Sequence, residues 1–343
     1  MRALCITAHG DPVAPQVELI EIDSPVPSAG EVLVQTEASA LNHLDLWVGR
    51  GLPGVETVFP HVGGSDGCGR VVEVGAGVDD AWLGRRVMLN AAVEAPQNPL
   101  PDAAPAGRDL HVIGEHTHGT HAERFTAPAA NLFAIDDSTD PHHAAAFALT
   151  HLTAWRMLRS RARLKEGQTV LITGIGGGVA TACLGIAKHL GCRAIVTSRH
   201  ASKLAAAVAL GADETVLDEG EDWSRTVRGM TGRRGVDVCA DSIGAAVHHS
   251  CLKSLARGGR FVTCGCTTGP NPPTDLARIF WGQLEILGST MGDAEEFRQV
   301  CSLLQSGLLR PVIDRVVPAE EGPTAYAHLE SGAQFGKVVL DWT

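Results

Sequence analysis

The chain has 343 residues, 44% of them hydrophobic and only 4% aromatic, with a formal net charge of −11. That length supports a large core and two domains, and that acidity argues against nucleic acid or an anionic membrane as the main partner. No apolar run is long enough to span a bilayer, and the short apolar start around Leu4-Cys5-Ile6 reads as a first strand rather than a secretory signal.

The first stretch is β-rich. Residues 31–38 alternate between apolar and polar, and residues 69–75 end in turn formers. Pro25, Pro27, Gly30, Gly51, Pro53, Gly54, Gly63 and Gly64 punctuate it. Residues 91–107, rich in Ala and Pro, read as a surface lobe or loop. From Pro141 the pattern changes. A helix is expected over 144–161, then a strand over 169–173, a glycine turn and a helix through Leu190. Strand 193–197 leads to helix 201–210, and a short strand follows at 214–217. Strand 236–240 leads to helix 245–256, and a Gly258-Gly259 turn feeds strand 260–264. A last strand over 284–289 precedes helix 294–305, and short strand-like pieces, 336–340 among them, are expected to return to the first domain. Strands alternating with helices of this length imply a parallel sheet covered on both faces.

The apolar strand that ends at Thr173 feeds Gly174-Ile175-Gly176-Gly177-Gly178-Val179-Ala180 and an apolar helix. Glycines let the backbone approach a pyrophosphate, and the helix start supplies unpaired N–H groups and a positive dipole end. A strand before the turn and a helix after it are the context that makes a dinucleotide site of a glycine run. At the end of the second strand an NAD site usually places an acid to accept from the ribose hydroxyls. Here stand Thr197, Ser198, Arg199, His200 and Lys203, with no acid. Ser198, Arg199 and Lys203 suit a 2′-phosphate, Arg by its planar fork and Lys as a point charge. The expected cofactor is NADPH.

With its β-rich start, this glycine turn, residues 235–244 (GVDVCADSIG) and the later Gly258-Gly259-Arg260, the chain resembles the medium-chain dehydrogenase/reductase superfamily over essentially its whole length. The resemblance implies an α/β protein: a Rossmann doubly wound parallel sheet at 125–291, and a GroES-like β-rich catalytic domain at 1–124 completed by 292–343. The zinc branch of that family has Cys, His and Cys ligands. At the matching positions this chain has Asn42, Ser65 and the ligand-free neighbourhood of Leu149, and the lobe at 90–116 has no cysteine for a structural zinc. No metal site is expected. The remaining similarity is to the zinc-free, quinone oxidoreductase-like branch. It implies that Asn42 and Trp47 line the nicotinamide pocket, and that Thr153 meets the nicotinamide amide. It also implies that Ser242, Gly265, Cys266, Thr267, Ser289 and Thr290 lie by the cofactor, and that Lys337 reaches it. Enoyl reductases of the superfamily often carry a tyrosine donor soon after the Asn/Asp motif. The single tyrosine here, Tyr326, lies far along the chain.

Hydride transfer needs geometry more than a reactive side chain, and the proton can come from water or a side chain. His43 is one donor candidate, with a pyrophosphate or loop contact as the other reading. Asp45 belongs to the catalytic segment either directly or as a brace for the loop. His116, His118 and His121, with Asp66 or His43, admit a metal reading, but their spacing fits better a polar strand with His116 and His118 on one face. The His142-His143 and His248-His249 pairs read as exposed helix starts or faces. The nine cysteines form no C-x-x-C pair, so most read as buried, reduced thiols of a cytoplasmic protein. The expected activity is hydride transfer from NADPH to a quinone or an α,β-unsaturated carbonyl, in a homodimer paired along strand 284–289. An alcohol/carbonyl oxidoreductase, metal-free or with an unusual metal, and a dinucleotide-binding structural or regulatory protein are the alternatives.

Overall fold

The computed structural model describes residues 1–94 and 110–343. They group into two compact units, one of Met1–Leu149, Asp293–Gly307 and Ile313–Thr343, the other of Thr150–Gly292 and Leu308–Val312.

The first unit opens with β1 (Arg2–Ile6), β2 (Val17–Glu21), β3 (Glu31–Ala40), α1 (His43–Arg50), β4 (His61–Val62), β5 (Gly67–Val74) and β6 (Arg86–Leu89). It continues with β7 (Ala92–Glu94), β8 (Leu110–Val112), β9 (Arg124–Pro128), β10 (Leu132–Ala134) and α2 (Pro141–Trp155), the helix that leads into the second unit. β1 pairs with β2 and β4 in a small antiparallel sheet. β3 is the spine of the larger sheet, pairing with both β5 and β9. The core gathers Leu4, Ile6, Leu41, Leu46, Val338, Leu340 and Tyr326, all essentially without exposure. Each such aliphatic side chain stabilises by about 1.5–3 kcal/mol over its exposed state.

The second unit is a six-stranded parallel sheet. Its elements are β11 (Thr169–Ile172), α3 (Gly178–His189), β12 (Arg193–Ser198), α4 (Ala201–Ala209), β13 (Glu214–Leu217), α5 (Ser224–Met230), β14 (Val236–Asp241), α6 (Ala245–Ser254), β15 (Leu255–Thr263), α7 (Leu276–Gly282) and β16 (Glu285–Gly288). The strand order is β13-β12-β11-β14-β15-β16, and every neighbouring pair is parallel. The order therefore reverses between β11 and β14. In such sheets ligands bind beyond the carboxyl ends of the strands at that reversal.

The chain returns to the first unit through α8 (Ala294–Gln305), β17 (Ile313–Pro318), α9 (Gly322–Ser331) and β18 (Lys337–Asp341). α8 starts with a reciprocal Asp293/Glu296 capping box and buries Phe297, Val300, Cys301 and Leu304, one stripe at helical spacing. β18 lies antiparallel to β3, with Val339 opposite Ala40. The expected return of the C-terminal strands to the first domain is what this pairing achieves.

Several expectations need correction. Residues 125–149 pack in the first unit, because β9 pairs with β3 and β10 with β6. The expected helix over 144–161 starts earlier, at Pro141, and turns π-helical over Arg156–Arg161. Gly258-Gly259 is not a free turn: β15 runs through it as a bulge, with Leu255 opposite Val236 and Arg260 opposite Val238. α5 and α7 are short helices without a sustained apolar stripe, and no periodicity announced them. Most of the lobe at 91–107 lies outside the described residues, between the paired strands β7 and β8.

Candidate functional site

In the first unit, the Asn42–Asp45 segment begins α1 as a capping box. The Asn42 backbone N–H donates to Asp45 Oδ2 at 2.7 Å, and the Gly64 backbone N–H donates to Asp45 Oδ1 at 2.8 Å. Asp45 is buried and acts as a brace between α1 and the Gly63–Asp66 loop. Burial presses its carboxyl upward, but the nearby His121 ring and the two backbone amides outweigh this and hold it below the usual carboxylate range. The loop can pass so close to Thr120 and His121 because Gly119 has no side chain: a Cβ there would stand 2.1 Å from the Gly64 carbonyl oxygen.

Asn42, Asp66 and Lys337 form a buried polar triad. Lys337 Nζ donates to Asn42 Oδ1 at 2.5 Å and to Asp66 Oδ2 at 2.8 Å. Asn42 Nδ2 donates to Asp66 Oδ2 at 2.9 Å, and Asp66 Oδ1 accepts from the Leu149 N–H at 2.7 Å. Asp66 has no exposure, Lys337 4% and Asn42 6%. Two members of the triad lie at or beside positions that the resemblance matches to zinc ligands: Asn42 itself, and Asp66 next to Ser65. Ser65 turns away, its hydroxyl donating to the Ile113 carbonyl at 2.7 Å. These donors do not fit zinc: they include no thiolate or imidazole, and the amide and carboxylate oxygens already hold a cation. Among the described residues no group of three or more His, Cys, Asp or Glu side chains is arranged to hold a metal.

His43 is the first residue of α1 and exposed, whereas Trp47 is partly buried one turn on. The histidine-rich segment is a turn rather than a strand, correcting the expected alternation. Gly114 at φ +89° and the Ile113–Thr117 bridge fold it back on itself. His118 Nδ1 accepts from the Val62 N–H at 3.2 Å, and His61 donates from Nε2 to the Gly114 carbonyl at 3.1 Å. His121 is fully buried: its Nδ1 meets Ser39 Oγ at 2.9 Å, and its Nε2 stands 3.8 Å from Asp45 Oδ1, an ion-pair distance rather than a hydrogen bond. Tyr326 is also fully buried, beside Gly63 and edge-on to His121. Burial and then the Asp45 charge hold its phenol well above the usual range, so it keeps its proton. Sequence spacing concealed Tyr326 as a partner of this cluster.

In the second unit, the glycine turn sits at the β11–α3 junction beside the strand-order reversal. Thr197 is a buried brace of the turn: its carbonyl accepts from the Ile175 N–H at 2.8 Å and its Oγ1 from the Gly174 N–H at 3.3 Å. Ser198 is buried, and Arg199 exposed at the end of β12. The Lys203 side chain lies over the turn: a Cβ on Gly176 would approach its Cδ to 2.6 Å and its Nζ to 3.2 Å. Gly177 takes φ −76° and ψ 155°, a conformation open to any residue. A Cβ there would meet nothing nearer than 3.9 Å. The fold itself therefore does not require glycine at 177, at the start of α3, where helix N–H groups can receive an anion.

Asp241 closes the other side of the reversal, accepting from Thr173 Oγ1 at 2.6 Å and from the Ile243 and Gly244 amides at 3.1 and 3.0 Å. Burial raises its carboxyl despite these three donors. Ser242 accepts through its carbonyl from Thr267, N–H at 3.4 Å and Oγ1 at 3.1 Å. Gly265, Ser289 and Val179 are partly buried, and Cys266, Thr267 and Thr290 are exposed, all after strand ends or at the start of α3. Thr153 is buried on α2. His248 is not exposed as expected: its Nε2 pairs with Thr274 Oγ1 at 3.0 Å, and its ring meets Phe261 edge-on.

Two consequences are measurable. All nine cysteines are free, and Cys266 is the exposed one. Burial pushes the thiols of Cys5 and Cys264 up to about 11 and 12. Iodoacetamide is expected to alkylate Cys266 first, with peptide mapping as the readout; a bound dinucleotide should slow that reaction at least fivefold. Secondly, burial lowers the ring values of His61 and His248. Between those values and the unfolded value of about 6.5, the unfolded chain binds more protons. Stability should therefore fall as pH drops from about 7 through the lowered values. Urea midpoints at pH 7.5 and 5.5 check this, and His248→Gln should flatten the trend.

The two units and their sites define an oxidoreductase of the medium-chain dehydrogenase/reductase superfamily, to which the chain belongs. Residues 28–137 match the alcohol dehydrogenase GroES-like domain, and residues 178–306 the zinc-binding dehydrogenase domain. The zinc-type alcohol dehydrogenase-like protein YogA of Leptosphaeria maculans is 31% identical, over 97% of each chain. The quinone oxidoreductase of Rattus norvegicus is 25% identical, over 99% of this chain and 97% of its own. A crystal structure of an NAD-dependent alcohol dehydrogenase superposes with a TM-score of 0.90 at 37% identity, covering 99% of both chains. A nicotinamide dinucleotide is the cofactor of such a protein.

Proposed function

We propose that this protein is an NADPH-dependent, zinc-free oxidoreductase that reduces a quinone or an α,β-unsaturated carbonyl. The observation that carries the reading is the Lys337–Asn42–Asp66 triad, in which a buried ammonium holds Asn42, the residue that the resemblance matches to the first zinc-ligand position. When bound, the reduced nicotinamide supplies hydride from C4. This chain's own part is to hold the pyrophosphate at the amides of α3, to meet a 2′-phosphate with Arg199 and Lys203, and to keep the α1 start rigid through Asp45. By resemblance, Asn42 and Trp47 of the first unit and Thr153 of the second are the nicotinamide contacts, His43 or water supplies the proton, and Lys337 is the basic residue that reaches the cofactor. Among the described residues no helix is long and apolar enough to cross a membrane; a cytoplasmic homodimer paired along β16, an edge strand of its sheet, completes the proposal.

The test combines metal analysis after chelation with stopped-flow oxidation of NADPH against a panel of quinones and enones. Metal-free protein is expected to turn over at least one of them. A stoichiometric metal required for activity overturns the zinc-free assignment. In the same assays, Arg199→Ala with Lys203→Ala should weaken NADPH at least tenfold relative to NADH; an unchanged ratio removes the 2′-phosphate assignment. Alcohol and carbonyl pairs belong in the panel, because alcohol dehydrogenases stand among the relatives.

A further inference from the structure

The Lys337 ammonium carries three N–H donors. Two are spent, on Asn42 Oδ1 and Asp66 Oδ2. No described residue accepts the third. The group is almost fully buried, yet the side chain keeps 4% exposure. An unspent donor on a buried ammonium is costly unless something else accepts it. The two acceptors that hold it also fix its position. Asp66 is itself held by the Leu149 amide, and the Asn42 amide donates to Asp66 and, at 3.4 Å, to the Ala40 carbonyl. With its oxygen against Lys337 and its nitrogen turned to Asp66 and Ala40, Asn42 has no free donor for a substrate. Lys337 is the one member of the triad with a donor left over.

The geometry points to Lys337 as the group that binds the oxygen of the hydride acceptor. This rests on the proposed reduction of a quinone or enone. The third N–H donates to the acceptor's carbonyl oxygen. As a hydride with its electron pair joins the acceptor carbon, the C=O π bond, directly or through a conjugated C=C, yields its pair to that oxygen. The ammonium holds the resulting oxyanion and water delivers the proton that completes the product; the electron pair would come from the reduced nicotinamide as hydride source. Lys337 is neither consumed nor deprotonated. It does at this oxygen what a metal ion does as a Lewis acid, polarising the carbonyl and stabilising the charge that develops. A preorganised donor of this kind is worth about 10²–10³ in rate.

The competing role for Lys337 is contact with the cofactor, and a binding measurement separates the two. 4-Nitrophenol serves as the oxyanion probe, because its phenolate is coloured and resembles an enolate in charge and shape. Lys337→Met, the double variant Lys337→Met/Asp66→Asn and Lys337→Arg are compared with the unmodified protein, each saturated with oxidised dinucleotide. The double variant removes both charges together, so it is expected to fold where the single one leaves Asp66 unpaired. The Met variants are expected to keep dinucleotide affinity within threefold by fluorescence, to lose nitrophenolate binding at least tenfold, and to slow single-turnover enone reduction about 10²–10³-fold. Arginine should restore part of the phenolate binding.

Unchanged nitrophenolate binding in the Met variants overturns the inference, as does a protein that binds no nitrophenolate. So does a loss confined to dinucleotide affinity, which would make Lys337 a cofactor ligand. If nitrophenolate binds through Lys337 but no quinone or enone is reduced, the oxyanion site stands and the proposed substrate class falls.

Discussion

Asp66→Ala is expected to destabilise the first unit by about 3–5 kcal/mol, the cost of leaving one partner of a buried ion pair alone. Asp66 has no exposure, and one of its oxygens serves both the Lys337 ammonium and the Asn42 amide while the other holds the Leu149 N–H. Removing the carboxylate strands a positive charge at 4% exposure and unties the Asn42 side chain and the α2 backbone together. Urea unfolding followed by tryptophan fluorescence reads the effect. Lys337→Met in the Asp66→Ala background should recover part of the loss, because no unpaired charge then remains. A single-variant cost below about 1 kcal/mol would mean that the ammonium escapes to water, and the triad would lose its standing as a rigid element.

Gly177→Val is expected to leave the fold nearly intact and to weaken dinucleotide binding at least 100-fold, which corresponds to about 2.7 kcal/mol. The backbone there is extended and a Cβ meets open space, so the folding cost is limited to about 1 kcal/mol for a poor N-cap residue. The new side chain would, however, stand in front of the α3 amides, where a pyrophosphate must approach. Gly174→Ala is the informative contrast. Its φ is +63°, and a Cβ would stand 2.5 Å from Ile243 Cδ1, so that change should lower stability itself. Intrinsic fluorescence melts and NADPH titration separate the two behaviours. Gly177→Val binding dinucleotide like the unmodified protein would remove the pyrophosphate assignment.

The dinucleotide half of the protein was legible because its signals are local. A strand, a glycine turn and a helix occupy some 20 consecutive residues, and each is specified by near neighbours. Family resemblance extended that reading to both domains. The domain boundary was less legible. β9 and β10 look like any short strands, and only their pairing with β3 and β6 assigns them to the first unit. The histidine-rich segment misled for a related reason: its alternation imitates a strand, but Gly114 and Gly119 allow a tight return that alternation cannot register.

What the sequence determined by itself is the fold class, the glycine turn and the absence of an acid after the second strand. These are properties of short windows, where backbone preference and residue chemistry act directly. The tertiary structure alone decided what Asp66 and Lys337 do, since 271 positions separate them along the chain. β18 runs antiparallel to β3 with Val339 opposite Ala40, and continuing that register two residues sets Lys337 beside Asn42. A strand register is a long-range agreement between hydrophobic faces. Through it, a lysine near the end of the chain meets an amide and a carboxylate near its beginning, and the three satisfy one another in a buried place.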